Sequence, residues 1–168
     1  MKKIFLFLAV AGVTLFSSCE GPEGPTGYSA ESQVYEITNV DFLPSSFAIL
    51  YTFPQTALPS DHVLVYRLWA TDSGADVWRL IPQTVYFDNG DEFDYNYDFT
   101  QYDVNIFLDG NFDLNTLGSE WSQSQIFRVV IVPGYFAKTV DTKDYKAVAK
   151  ALKLEEKDVK RVQITKNK

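Results

Sequence analysis

Phe93, Tyr95, Tyr97 and Phe99 alternate with Asp94, Asn96 and Asp98. In an extended chain, residues two apart share a face, so four rings fall on one side and amides and carboxylates on the other. A helix would scatter those rings around its axis. The segment is therefore a strand with one face in a core and one in water. The same period returns elsewhere: Phe47, Ile49, Tyr51 and Phe53 alternate with Ala48, Leu50 and Thr52, and Tyr102, Val104, Ile106 and Leu108 form another apolar row. From Gln33 to Phe42, Val34, Glu36, Thr38 and Val40 oppose Tyr35, Ile37 and Asn39. His62 to Thr71 is apolar on both faces, as a central strand is. Val77–Ile81 and Thr84–Phe87 are shorter pieces parted by Pro82, which marks a bulge or an edge. Ile126 to Val132 is apolar except for Arg128.

Turn chemistry orders these segments. Asn89-Gly90 between two β runs predicts a two-residue type I′ hairpin, and residues 83–109 then read as a three-stranded meander. The period changes only near the end. Asp141-Thr142-Lys143-Asp144 is a helix-capping sequence, and Tyr145, Val148, Ala149 and Leu152 lie on one helical face. Val159 to Thr165 returns as a last strand. The expected fold is mainly β: an antiparallel β-sandwich, with an Ig-like order as one form, carrying one short C-terminal helix. A small open barrel is the alternative.

The N-terminus follows different rules. Lys2 and Lys3 precede thirteen uncharged residues, Ile4 to Phe16, and then Ser17-Ser18-Cys19. A spanning helix needs roughly 20 apolar residues, so this run is a secretory leader. Cys19 is the only cysteine, so no intramolecular disulfide can use it. The expected division is a signal peptide at 1–18, a lipidated cysteine and flexible tether at 19–32, and one β-rich domain at 33–168. Cleavage falls between Ser18 and Cys19. The thiol takes diacylglycerol, and two or more acyl chains anchor a protein stably.

Gly21-Pro22-Glu23-Gly24-Pro25-Thr26-Gly27 repeats glycine every third residue. Three such triplets are too few to hold a triple helix, so the segment is a spacer. At about 3.1 Å per residue, residues 20–32 would reach on the order of 40 Å. Ser17-Ser18-Cys19 resembles the bacterial lipobox. The run from Cys19 to Gly27 resembles the Glu-Gly-Pro-x-Gly-Pro-x-Gly opening of Bacteroidota lipoproteins. That resemblance covers only leader and tether. It implies an outer-membrane location, facing the cell surface or periplasm, and the membrane as partner through acylated Cys19. It implies no particular activity.

Charge narrows the partners. Removing the leader takes two of the 15 basic residues and none of the 22 acidic ones, which leaves 13 against 22. Such a surface excludes nucleic acid. His62 is the only histidine, and no nucleophile elbow, phosphate loop or dinucleotide fingerprint occurs, so no cofactor and no catalytic residue are expected. Asp88, Asp91, Glu92 and Asp94 are weak calcium candidates without EF-hand spacing. Asp109, Asn111, Asp113 and Asn115 form a second oxygen-rich stretch. Trp121, in a polar loop, and Trp78 are candidate contacts for a glycan or protein ligand, although Trp121 also suits a seal on the sandwich edge. The chain thus reads as a binding or scaffolding lipoprotein. The rival is a surface glycan-active hydrolase, which would need two convergent carboxylates about 5 to 9.5 Å apart in a cleft.

Overall fold

The computed structural model describes residues 32–136 and 140–164. The leader, Ser18, Cys19 and the tether as far as Glu31 lie outside the described residues. The strands are β1 (Gln33–Val40), β2 (Ala48–Thr52), β3 (His62–Asp72), β4 (Ala75–Leu80), β5 (Gln83–Tyr86), β6 (Glu92–Phe99), β7 (Asp103–Gly110), β8 (Gln125–Val132) and β9 (Lys160–Gln163). They form a five-stranded sheet, β4-β3-β8-β1-β9, and a four-stranded sheet, β2-β7-β6-β5. Every pairing is antiparallel except β1 with β9. The expected β-sandwich is present. Its strand order is its own: β1 and β2 lie in different sheets, whereas immunoglobulin domains keep their first two strands in one.

The core between the sheets is the alternation made physical. Tyr35 and Ile37 of β1, Val63 and Val65 of β3, and Phe127, Val129 and Ile131 of β8 meet Phe93 and Tyr95 of β6 and Val104, Ile106 and Leu108 of β7. A register shift between Ile37 and Val40, with Asn39 at φ 57°, turns Val40 inward with them. A second apolar layer lies outside the five-stranded sheet. Val34, Leu64, Tyr66, Val130 and Val132 pack there beneath Val148, with Tyr145 and Leu152 alongside. These come from the expected helix, Tyr145–Ala151, and its C-cap Leu152; the N-cap Asp144 accepts a hydrogen bond from the Lys146 amide. The helix explains why β3 and β8 are apolar on both faces: both faces are covered.

One turn differs from expectation. Asn89 has negative φ and only Gly90, at +90°, is left-handed. The Gly90 amide donates to the Phe87 carbonyl at 3.0 Å, and the Phe87 amide to the Asp91 carbonyl at 2.9 Å. Asp88 and Asn89 therefore fill the centre of an ordinary turn and Gly90 supplies the left-handed residue that rejoins the strands. The two-residue turn with both centres left-handed is Ser73-Gly74, at φ 51° and 82°, joining β3 to β4. Pro82 sits between β4 and β5, where the chain passes from one sheet to the other.

The strand directions define two poles. Gln33 opens β1 beside Ile131, near the end of β8, and His62 opens β3 beside Val132. The start of β1 therefore lies at this pole. The β5–β6 hairpin tip, the end of β7 and the start of β8 lie at the opposite one. Among the described residues, no helix is long and apolar enough to cross a membrane.

Candidate functional site

A cleft of about 490 Å³ opens at the pole opposite the start of β1. Its apolar wall is Phe87, Phe112, Leu117 and Trp121. Its polar wall includes Asp88, Asp91, Thr116 and Glu120. Two stretches of chain far apart in sequence build it. The hairpin tip brings Asp88 and Asp91; the segment after β7 brings Thr116 to Trp121.

Local bonds fix both parts. Asn89 donates from its side-chain amide to Asp91 Oδ2 at 2.7 Å and accepts from the Asp91 amide at 3.1 Å. Asn111 ties the tip to the following segment: its Oδ1 accepts from the Glu92 amide and its Nδ2 donates to the Gly90 carbonyl. Asp113 caps a short 3-10 turn at Leu114–Thr116 by accepting from the Asn115 amide. One helical turn, Ser119–Ser122, then carries Trp121. The Glu120 carboxylate folds back over Gly118.

Trp121 both seals the sandwich end and lines the cleft. Its ring packs against Trp69, Phe93 and Phe87 at centroid distances of 5.8, 5.9 and 6.2 Å. Its carbonyl accepts from the Tyr95 hydroxyl at 2.5 Å. Behind it stands Arg67, which sequence reading did not single out. Arg67 is buried and points between the sheets, with its guanidinium carbon 4.4 Å from the Tyr95 ring centre, 5.1 Å from Trp69 and 5.6 Å from Trp121. Its Nε and Nη2 donate to Gln125 Oε1 at 2.8 and 2.5 Å. Gln125 Nε2 in turn donates to the Glu120 and Gln123 carbonyls, clamping the Trp121 turn. Burial lowers the Arg67 pKa, with Arg79 acting the same way and Tyr95 opposing. Aromatic faces in place of a carboxylate stabilise such a cation. The signal in the sequence was a lone arginine on the inward parity of an apolar strand.

The calcium candidates divide. Asp88 and Asp91 line the cleft, while Glu92 and Asp94 lie on the outer face of β6, where Asp94 accepts from the Thr84 hydroxyl at 2.5 Å. Asp109 and Asn111 are occupied separately in turns, and Asp113 accepts from Asn115 within one cap. Among the described residues, no three acidic, histidine or cysteine side chains converge as a metal site. Trp78 lies on the far side of the five-stranded sheet, stacked 4.3 Å from the Arg128 guanidinium and 5.8 Å from the Tyr145 ring. There it packs the helix and edges a recess of about 230 Å³. His62 is exposed at the pole where β1 begins. The structure thus joins Trp121 with Asp88 and Asp91 and leaves the other candidates apart. No family profile, curated protein or solved structure matches this chain.

Proposed function

We propose that this chain is a lipid-anchored outer-membrane lipoprotein whose β-sandwich binds a glycan in the cleft beside Trp121. The observation that carries the reading is the composition of that cleft: flat aromatic surface on one side and oxygen acceptors on the other. Ring faces offer contact to the apolar faces of sugars, and the carboxylates and the Thr116 hydroxyl accept hydrogen bonds from sugar hydroxyls. The leader, Cys19 and the tether supply the anchor in this reading. The cleft lies at the pole remote from Gln33, where the tether joins, and therefore faces away from the membrane.

Binding is favoured over hydrolysis. A glycosidase acid is kept protonated by apolar surroundings. Asp88 and Glu120 are exposed, and Asp91 already holds Asn89. The test is a glycan screen with the full-length lipoprotein and two variants, Trp121→Ala and Asp88→Asn. The second lies on the exposed rim and leaves the packing intact. Both variants should lose the ligand that the parent binds. Undiminished binding by both would remove the cleft from consideration, and release of new reducing ends would establish the hydrolase instead. For the anchor, Cys19→Ala should abolish incorporation of a fatty-acid analogue.

A further inference from the structure

The pole at which β1 begins carries a cluster of exposed apolar side chains. Leu58, Phe99, Tyr102 and Tyr135 are 46, 40, 60 and 73% exposed, large apolar side chains in water. Leu58, Phe99 and Tyr102 edge a recess of about 320 Å³ in the loops after β2 and β6. Tyr135 follows Gly134, which lies against the Ser60 carbonyl and so brings the end of β8 to the same loop. The loops are stitched together beneath: the Phe53 amide donates to the Tyr102 carbonyl at 2.7 Å, and the Ala57 amide to the Gln101 carbonyl at 2.8 Å. The apolar side chains therefore stand on a fixed platform. Of the nearby acids, Asp98 faces solvent on the outer side of β6, and two others are bonded within the loops. Asp61 accepts from the Leu58 amide at 2.9 Å, and Asp103 from the Thr100 hydroxyl at 2.6 Å.

We infer that this pole docks on the bilayer interface, seating the domain upright with the cleft outward. The inference rests on the anchor reading of Cys19. The tether segment of that reading joins at Gln33 on the same pole, so the lipid surface is what the patch meets. Tyrosines suit that depth, since an apolar ring sits among acyl chains while its hydroxyl stays at the headgroups. Lysine and arginine are absent from residues 53–63 and 97–103, so attraction comes from apolar contact and not from anionic headgroups. The docking should therefore occur on zwitterionic lipid and persist in high salt.

The experiment uses the full-length lipoprotein in phosphatidylcholine vesicles. An environment-sensitive fluorophore is placed at Tyr102→Cys, at Tyr135→Cys and, on the opposite pole, at Gln123→Cys. Probes at 102 and 135 should shift to the blue and be quenched by brominated lipid, with the probe at 123 unchanged and salt without effect. Tyr135 is so exposed that its replacement leaves the fold untouched. Probes at 102 and 135 that report water would overturn the docking. So would a blue shift without lipid quenching, which would mean that a second copy covers the patch. Fatty-acid incorporation is read on the same preparation. Its absence removes the anchor reading and the docking together, whereas acylated protein with unshifted probes removes the docking alone.

Discussion

Arg67 brings a positive charge between the two sheets, and among the described residues no carboxylate pairs with it. Three aromatic rings and one amide oxygen take the place of a counter-ion. Removing the guanidinium would leave Gln125 Oε1 without its two donors and open a hole behind Trp121. We expect Arg67→Ala to cost about 3 kcal/mol in urea denaturation and to shift Trp121 fluorescence to the red. An unchanged midpoint would mean that the Trp121 turn holds itself. Tyrosine hydroxyls set a second residue-scale property. Burial pushes Tyr51 up to about 12, with Tyr35 adding, and drives Tyr66 and Tyr95 well above the ordinary value. In the unfolded chain these groups lose their protons near pH 10. Above that pH the folded state binds more protons than the unfolded one. The stability is therefore fully present below about pH 10 and falls as pH rises toward 12. Tyr66→Phe, which also removes the 2.6 Å bond to the Thr142 carbonyl, should flatten that decline in denaturation curves taken from pH 9 to 12.

The C-terminal helix is held by a partly buried ion network as well as by apolar contact. Arg128 donates to Glu36 and Glu156 at 2.8 Å each, and to the Tyr145 hydroxyl at 3.0 Å. Arg161 of β9 reaches Glu36 and Glu156 as well. Burial alone would lower the Arg128 pKa, but Tyr145, Glu36 and Glu156 outweigh it and raise it. Arg128→Ala would leave Glu36, which is 8% exposed, with only the exposed Arg161 as its cation. Loss of one partner of a buried pair costs about 3 to 5 kcal/mol. We expect that loss, together with proteolytic cleavage near Tyr145 under conditions where the parent resists. Resistance equal to the parent would show that Val148 and its neighbours suffice. Most elements could be read from sequence because alternation and the i, i+3, i+4 spacing are local signals. The hairpin at Asn89-Gly90 could be read as a turn but not as to its type, since one left-handed glycine serves either geometry. Glu36 and Arg128 gave no signal as a pair, because they stand 92 residues apart on strands whose adjacency only the fold reveals.

At the scale of the whole molecule, the described chain is three layers: helix, five-stranded sheet and four-stranded sheet. The two outer surfaces are made differently. The four-stranded sheet turns Asp94, Asn96, Asp98 and Asn105 outward beside exposed Leu50 and Tyr86, with no layer over it among the described residues. The five-stranded sheet turns Val34, Leu64, Tyr66, Val130 and Val132 outward and depends on the helix. The sequence carried this asymmetry in the two-faced apolar runs of β3 and β8. It could not show the cleft, whose walls come from either side of β6 and β7 and meet only when those strands pair. Because cover and sheet are separate pieces of chain, they can be separated experimentally. Deleting residues 141–168 would bare the five apolar side chains and unpair one edge of β1, where β9 binds in parallel. An apolar sheet face next to an open edge recruits other chains. We expect that truncation to aggregate, while Arg128→Ala stays soluble at the same concentration. A truncated protein that sediments as a monomer with the parent's β circular dichroism would show that the sandwich is complete without its third layer.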